Sequence, residues 1–193
     1  MFILAWRMVY KQLMLDSESD YKSQQINYTT IVNLRPYLKD SDHNSLVWLC
    51  NSLYSSYDKE IDFEADDFWS SQFWEMARNE SEAFHSRIKQ GEQYRLHESL
   101  APIETGECRI HFGLSNLVVP SQITDNLKMF KLNQVYTLSS YRASWTNDFG
   151  YHNIVSIGES LCWVMSYNSY FLRNETAELF IRSVMSIYDK ICA

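Results

Sequence analysis

Residues 66–91 read DDFWSSQFWEMARNESEAFHSRIKQG, and this stretch decides the fold class that the sequence predicts. Phe68, Phe73, Met76, Phe84 and Ile88 recur near a 3.6-residue period, with acids early and Arg87 and Lys89 late. Negative charge at the start and positive charge at the end complement a helix dipole, and Gly91 supplies a residue able to close the last turn. A helix from Asp66 or Asp67 to about Gln90 is therefore expected.

The same period is found on both sides of this segment. Upstream, Leu46, Leu49, Leu53 and Tyr57 follow the capping run Lys39 to Asn44, which predicts a helix from about Asp42 or Asn44 to Tyr57. The first fifteen residues, MFILAWRMVYKQLML, are apolar around most of a helical wheel and predict a buried helix. Downstream, Ile154, Ile157, Leu161, Val164 and Met165 form one stripe, and Phe180, Val184, Ile187 and Ile191 form another behind the capping residue Asn174. Residues 16–25 are polar and serine-rich and are expected to form a loop before a short element from Ile26 to Leu38.

One segment breaks the pattern. Cys108, Ile110, Phe112 and Leu114 alternate with Arg109, His111 and Gly113, which is strand periodicity. The run Val135 to Trp145 fits either a strand or a helix. The predicted architecture is mainly α: a helical bundle-like single domain over residues 1–193 with a small β hairpin or insertion around residues 107–138, and α+β as the alternative.

Composition supports a packed chain. Of 193 residues, 46% are hydrophobic and 15% aromatic, which supplies enough apolar surface to offset the entropy of ordering the backbone. Five glycines and three prolines leave long stretches without a break. The net charge of −7 argues against binding duplex nucleic acid, which needs a concentrated basic face. The amino-terminal apolar stretch carries Arg7 and Lys11, unlike a secretory leader, and no apolar run reaches the length of a membrane span. The cysteines Cys50, Cys108, Cys162 and Cys192 include no C-x-x-C pair, so reduced thiols and a cytoplasmic location are expected.

The most unusual local feature is the run from Asp58 to Asp67. Asp58, Glu60, Asp62, Glu64 and Asp66 occupy alternate positions, with Ile61, Phe63 and Ala65 between them. An extended backbone would set an acidic ribbon on apolar anchors. A calcium loop does not fit, because Phe63 and Trp69 stand where glycine and a bidentate glutamate belong. The ribbon is expected to dock a basic partner protein, an effector or toxin, with Asp58, Glu60, Asp62, Glu64, Asp66 and Asp67 steering it and Phe68, Trp69 and Trp74 as anchors. A non-enzymatic protein-binding module follows, in the manner of an inhibitor or immunity-type antidote.

Two other groupings could carry chemistry. Glu82 and His85 make an E-x-x-H pair on one helical face, but di-iron bundles need a second such pair and this chain has none. Glu92, His97, Glu98, Glu104, Glu107 and His111 gather imidazoles among carboxylates. The competing reading is a metal-dependent hydrolase centred on His85, His97, Glu98 and His111, and a third is a structural subunit of a larger assembly. Glycine loops for phosphates and a G-x-S-x-G elbow are absent, so neither a cofactor nor a metal is predicted.

Overall fold

The computed structural model describes residues 1–13, 24–37, 50–95, 110–118, 134–137, 148–157 and 160–192. The chain divides into two compact units. The first comprises Met1–Ile26, Ser56–Arg95 and Leu172–Ala193, and the second comprises Asn27–Ser55 and Leu96–Phe171.

The first unit carries three helices: α1 (Phe2–Leu13), α2 (Phe73–Lys89) and α3 (Asn174–Cys192). α1 buries Phe2, Ile3, Leu4, Ala5, Trp6 and Val9, and α3 buries Ala177, Phe180, Val184 and Ile187. The two helices pack together around Phe180, whose ring centroid lies 5.0 Å from that of Trp6 and 6.2 Å from that of Phe2. α2 is entered through a π-helical turn, Phe68–Gln72, and is capped at its end by Gln90. Gly91 follows at φ +78°, the left-handed conformation that a side chain disfavours. This helix is mostly exposed, with only Phe73 and Ile88 buried along it.

The second unit is built on a five-stranded sheet of β1 (Ile26–Asn33), β2 (Cys50–Tyr57), β3 (Ile110–Val118), β4 (Asp148–Ile157) and β5 (Ser160–Tyr167). Their spatial order is β2-β1-β3-β4-β5. β1 with β3 and β3 with β4 are parallel, whereas β4 with β5 is antiparallel, so the sheet is mixed. The register sets Tyr28 opposite Phe112, and their rings stack at 5.1 Å. Val155, Ile157 and Cys162 form a buried cluster against which Val135 packs.

The fold is thus α/β, which corrects the expectation of a mainly helical bundle with β structure confined to residues 107–138. Two expected helices are strands. Residues 50–57 form β2, and the stripe from Ile154 to Met165 is divided between β4 and β5. In β2 the misleading signal was a spacing of four residues, which is two strand repeats as well as about one helical turn. β4 buries Gly150 and His152 on one face and Asn153, Val155 and Ile157 on the other, so its apolar residues do not keep to alternate positions. The helices expected over residues 1–15, from 66 or 67 to about 90, and after Asn174 are present as α1, the turn Phe68–Gln72 with α2, and α3, and the described part of the strand expected over residues 107–114 lies in β3, with residues 14, 15 and 107–109 outside the described residues. Residues 16–23, 42–49, 119–133 and 138–147 lie outside the described residues.

Close approach of the strands fixes one position. A Cβ on Gly113 would collide with the Tyr151 ring on β4 and lie 3.3 Å from the Thr29 hydroxyl on β1. Gly113→Val is expected to destabilise the fold by about 1–3 kcal/mol in urea denaturation, as overpacking generally does. Adding Tyr151→Ala should recover part of that loss. Equal stability of Gly113→Val and wild type would show that this contact does not constrain the sheet.

Candidate functional site

The acidic run from Asp58 to Asp67 leaves β2 and leads into the π-helical turn, and the alternation read from the sequence survives in its burial. Asp58, Glu60, Asp62, Glu64, Asp66 and Asp67 are exposed, whereas Ile61 and Phe63 are 3% and 8% exposed. The segment is not uniformly extended. The Glu64 N–H donates to the Asp62 carboxylate at 3.3 Å, the Ala65 N–H to the Asp62 carbonyl at 3.2 Å, and the Phe68 N–H to the Ala65 carbonyl at 3.0 Å. Asp67 accepts from the Gln72 side-chain amide at 2.7 Å, and its carbonyl accepts from the Ser70 and Ser71 hydroxyls, which ties the end of the ribbon to the turn that starts α2.

α1 holds the other end. Arg7 is fully buried, and its guanidinium donates to the Lys59 carbonyl at 3.1 Å. Lys11, one turn further along, pairs with Glu64 and lies 5.5 Å from the Phe63 ring centroid. The apolar side chains fix the ribbon against the helix, and its carboxylates are left on the outside.

Ribbon and α2 together enclose a depression of about 270 Å³. Glu60 and Asp62 from the ribbon and Glu75 and Glu80 from α2 supply four carboxylates to its lining, while Tyr57, Ile61, Phe68 and Met76 give it apolar walls. Lys59 is the one basic residue among those that line it. Burial, and then the Glu80 carboxylate, push the Tyr57 hydroxyl above its ordinary pKa, and Arg7 opposes that rise. Among the described residues, no group of three or more His, Cys, Asp or Glu side chains could hold a metal ion.

The three expected aromatic anchors have different settings. Phe68 is 3% exposed and belongs to the wall of the depression. Trp69 is half-buried, and Lys190 sits over its ring at 4.7 Å. Trp74 is 46% exposed and meets the edge of Phe73 at 5.1 Å between centroids. Glu75 and Glu80 were not singled out in the sequence, although Gln72, Glu75, Asn79 and Glu80 mark one polar stripe along the helix that faces this depression.

The described histidines stand on different elements. His85 is exposed on α2 in the first unit, with Nδ1 2.7 Å from the Ser81 carbonyl. His111 stands on β3 in the second unit, where its Nδ1 accepts the Asn27 N–H at 3.1 Å. His97, Glu98, Glu104 and Glu107 lie outside the described residues. His152 on β4 is fully buried and its Nδ1 accepts the Trp163 indole N–H at 3.2 Å. Strand register places His152 beside Leu114, two positions from Phe112, while His111 is odd in that alternation, so the two imidazoles point to opposite faces of the sheet. Burial lowers the pKa of His152 to about 3.

No family model matches the chain, and no curated protein does. Among solved structures, the fold is similar to one that shows the molecular basis for condensation domain-mediated chain release from the enacyloxin polyketide synthase. That match has a TM-score of 0.56 at 13% identity and covers 98% of this chain and 34% of the other. Vinorine synthase aligns with a TM-score of 0.41 at 12% identity, over 92% of this chain and 40% of that one. The chain therefore spans between a third and two fifths of the length of these structures. The likeness concerns the fold. The expectation of an immunity-type antidote or inhibitor rested on a small, acidic chain poor in motifs, and none of these comparisons supports it.

Two consequences can be measured. Arg7→Ala removes a charge-assisted hydrogen bond worth about 1.5–3 kcal/mol, and amides of residues 58–67 should exchange faster with solvent than in wild type; unchanged exchange there would mean that Arg7 does not hold the ribbon. For His152 the folded pKa lies below the unfolded value of about 6.5, so in the window from there down to about 3 the unfolded chain takes up the proton and the folded chain does not. His152 thus contributes stability above pH 6.5 that is lost as the pH falls through the window. His152→Gln should show a shallower fall of the urea midpoint over that range, and curves parallel to wild type would contradict the assignment.

Proposed function

We propose that the chain is a protein-binding module that receives a basic segment of a partner protein in the acidic depression between the ribbon and α2. The observation that carries this reading is the convergence of Glu60, Asp62, Glu75 and Glu80 on one cavity of about 270 Å³ with apolar walls. A lysine or arginine side chain combines a cationic head with an aliphatic stem, and both parts find a complement there. Asp58, Glu64, Asp66 and Asp67 extend the negative field beyond the rim and raise the encounter rate with such a partner. Trp74, exposed at the start of α2, is the aromatic anchor best placed to be buried by that partner, with Trp69 beside Lys190 in a secondary role.

The fold likeness favours one setting for this activity. The chain matches about a third of a condensation-domain structure, so a role as one part of a larger acyl-condensing assembly, with the partner as its other part, is the second reading. The two agree on binding and differ in whether chemistry follows it. Neither places a reacting group on the buried imidazole of His152.

The test is the combined reversal Asp58→Lys, Glu60→Lys and Asp62→Lys. Proteins retained by the immobilised wild-type chain from native extract are expected to be basic. Association of each purified candidate should slow by roughly tenfold or more on the reversed chain and lose most of its salt dependence, as electrostatic steering requires. An on-rate unaffected by reversal overturns the proposal. Turnover of an acyl thioester by the wild-type complex, absent from the chain alone, would support the second reading.

A further inference from the structure

α3 has two apolar faces. One is the core face of Ala177, Phe180, Val184 and Ile187, which packs against α1. The other consists of Ile181, Met185 and Tyr188, exposed at 39%, 49% and 52%, with Cys192 exposed one turn further on. At 100° per residue these four fall within an arc of about 60°, and Glu178, Arg182 and Asp189 occupy the neighbouring arc of about 40°. Single exposed apolar residues are ordinary on a soluble surface, but a stripe at i, i+4, i+7 and i+11 beside a charged one is the form of a helix interface.

We propose that this stripe binds the same stripe on a second copy of the chain, with the two α3 helices antiparallel about a two-fold axis. The charged flank decides both the occupant and the orientation. A two-fold axis perpendicular to an antiparallel helix pair brings each flank against the same flank of the other copy. With the axis level with Met185 and Ser186, Arg182 of each copy stands opposite Asp189 of the other, so two complementary pairs form at once. The contact between Arg182 and Glu178 within the helix is 3.7 Å long, and the Arg182 side chain remains 67% exposed, so it can still reach across. A partner carrying charge of one sign would meet a like charge at Arg182 or at Asp189. Met185 lies at the centre of the pair, where a flexible thioether packs against its own copy, and Tyr188 and Ile181 close the two ends of the apolar strip.

This inference stands apart from the acidic depression and does not depend on it. Its test is sedimentation of the full chain across the micromolar range, together with variants confirmed as folded by circular dichroism. The wild-type chain is expected to shift from monomer to dimer, Met185→Glu to weaken that association by roughly tenfold or more, and Arg182→Glu to weaken it less. Arg182→Glu combined with Asp189→Arg should restore it. In a Cys192→Ser background, Met185→Cys should form a disulfide between copies on mild oxidation. Ile181→Cys should not, because its own copy lies about 13 Å away along the axis. A wild-type chain that stays monomeric, a Met185→Glu variant that dimerises like wild type, or equal cross-linking at both positions would overturn the proposal.

Discussion

The arrangement of the first unit depends on a buried guanidinium. Arg7 lies on the core side of α1 among Leu4, Trp6 and Val9, and its hydrogen bond to the Lys59 carbonyl reaches a segment more than fifty residues away in the chain. Placing an arginine there costs solvation that only well-formed hydrogen bonds can offset. In return it holds the point where the chain leaves β2, and Ile61 and Phe63 follow into the apolar interior beside α1. Once those two positions are fixed, alternation turns the neighbouring side chains outward, and these are the acids. The negative surface is therefore a consequence of which side of the ribbon is anchored.

The parts of this fold that sequence periodicity revealed are those whose surroundings differ on two sides. α2 is wetted along most of its surface, α3 separates its core residues from Glu178, Arg182 and Asp189, and β3 carries its apolar residues at alternate positions. Where the surroundings are the same on both sides, periodicity fails. β4 buries His152 and Asn153 as consecutive residues, with Val155 and Ile157 soon after, so no face stands out and its apolar residues match a helical template as well as a strand. Residues 151–167 also carry Tyr151, Ile154, Val155, Ile157, Trp163, Val164 and Tyr167, side chains that suit a pleated surface. β2 failed for a different reason, since Leu53 and Tyr57 share one face in either kind of element.

The site was legible to the extent that it is local. Exposed acids at alternate positions and buried Ile61 and Phe63 needed only the pattern of ten consecutive residues. Glu75 and Glu80 belong to the same depression through the packing of α2, a relation that no short stretch encodes. Phe68 shows the converse. It stands beside the acids in sequence, yet the π-helical turn directs it inward, where it becomes a wall instead of a contact surface.

The geometry also separates the ligands such a site could take. A divalent cation asks for several oxygens around one point at about 2.0–2.6 Å, and the four carboxylates come from two elements around the wall of a cavity without meeting as a group of metal-ligand dimensions. An extended cation can touch distributed acceptors, because a guanidinium offers five N–H donors in a plane and its methylene stem can lie along Ile61 and Met76. The same spread explains why no imidazole is needed there. His111 and His152 are hydrogen-bonded within the sheet on opposite faces, and burial keeps His152 neutral. The exposed carboxylates of the ribbon and the imidazoles of the sheet are thus carried by different stretches of this chain, and a substitution at His111 or His152 is not required to disturb the ribbon.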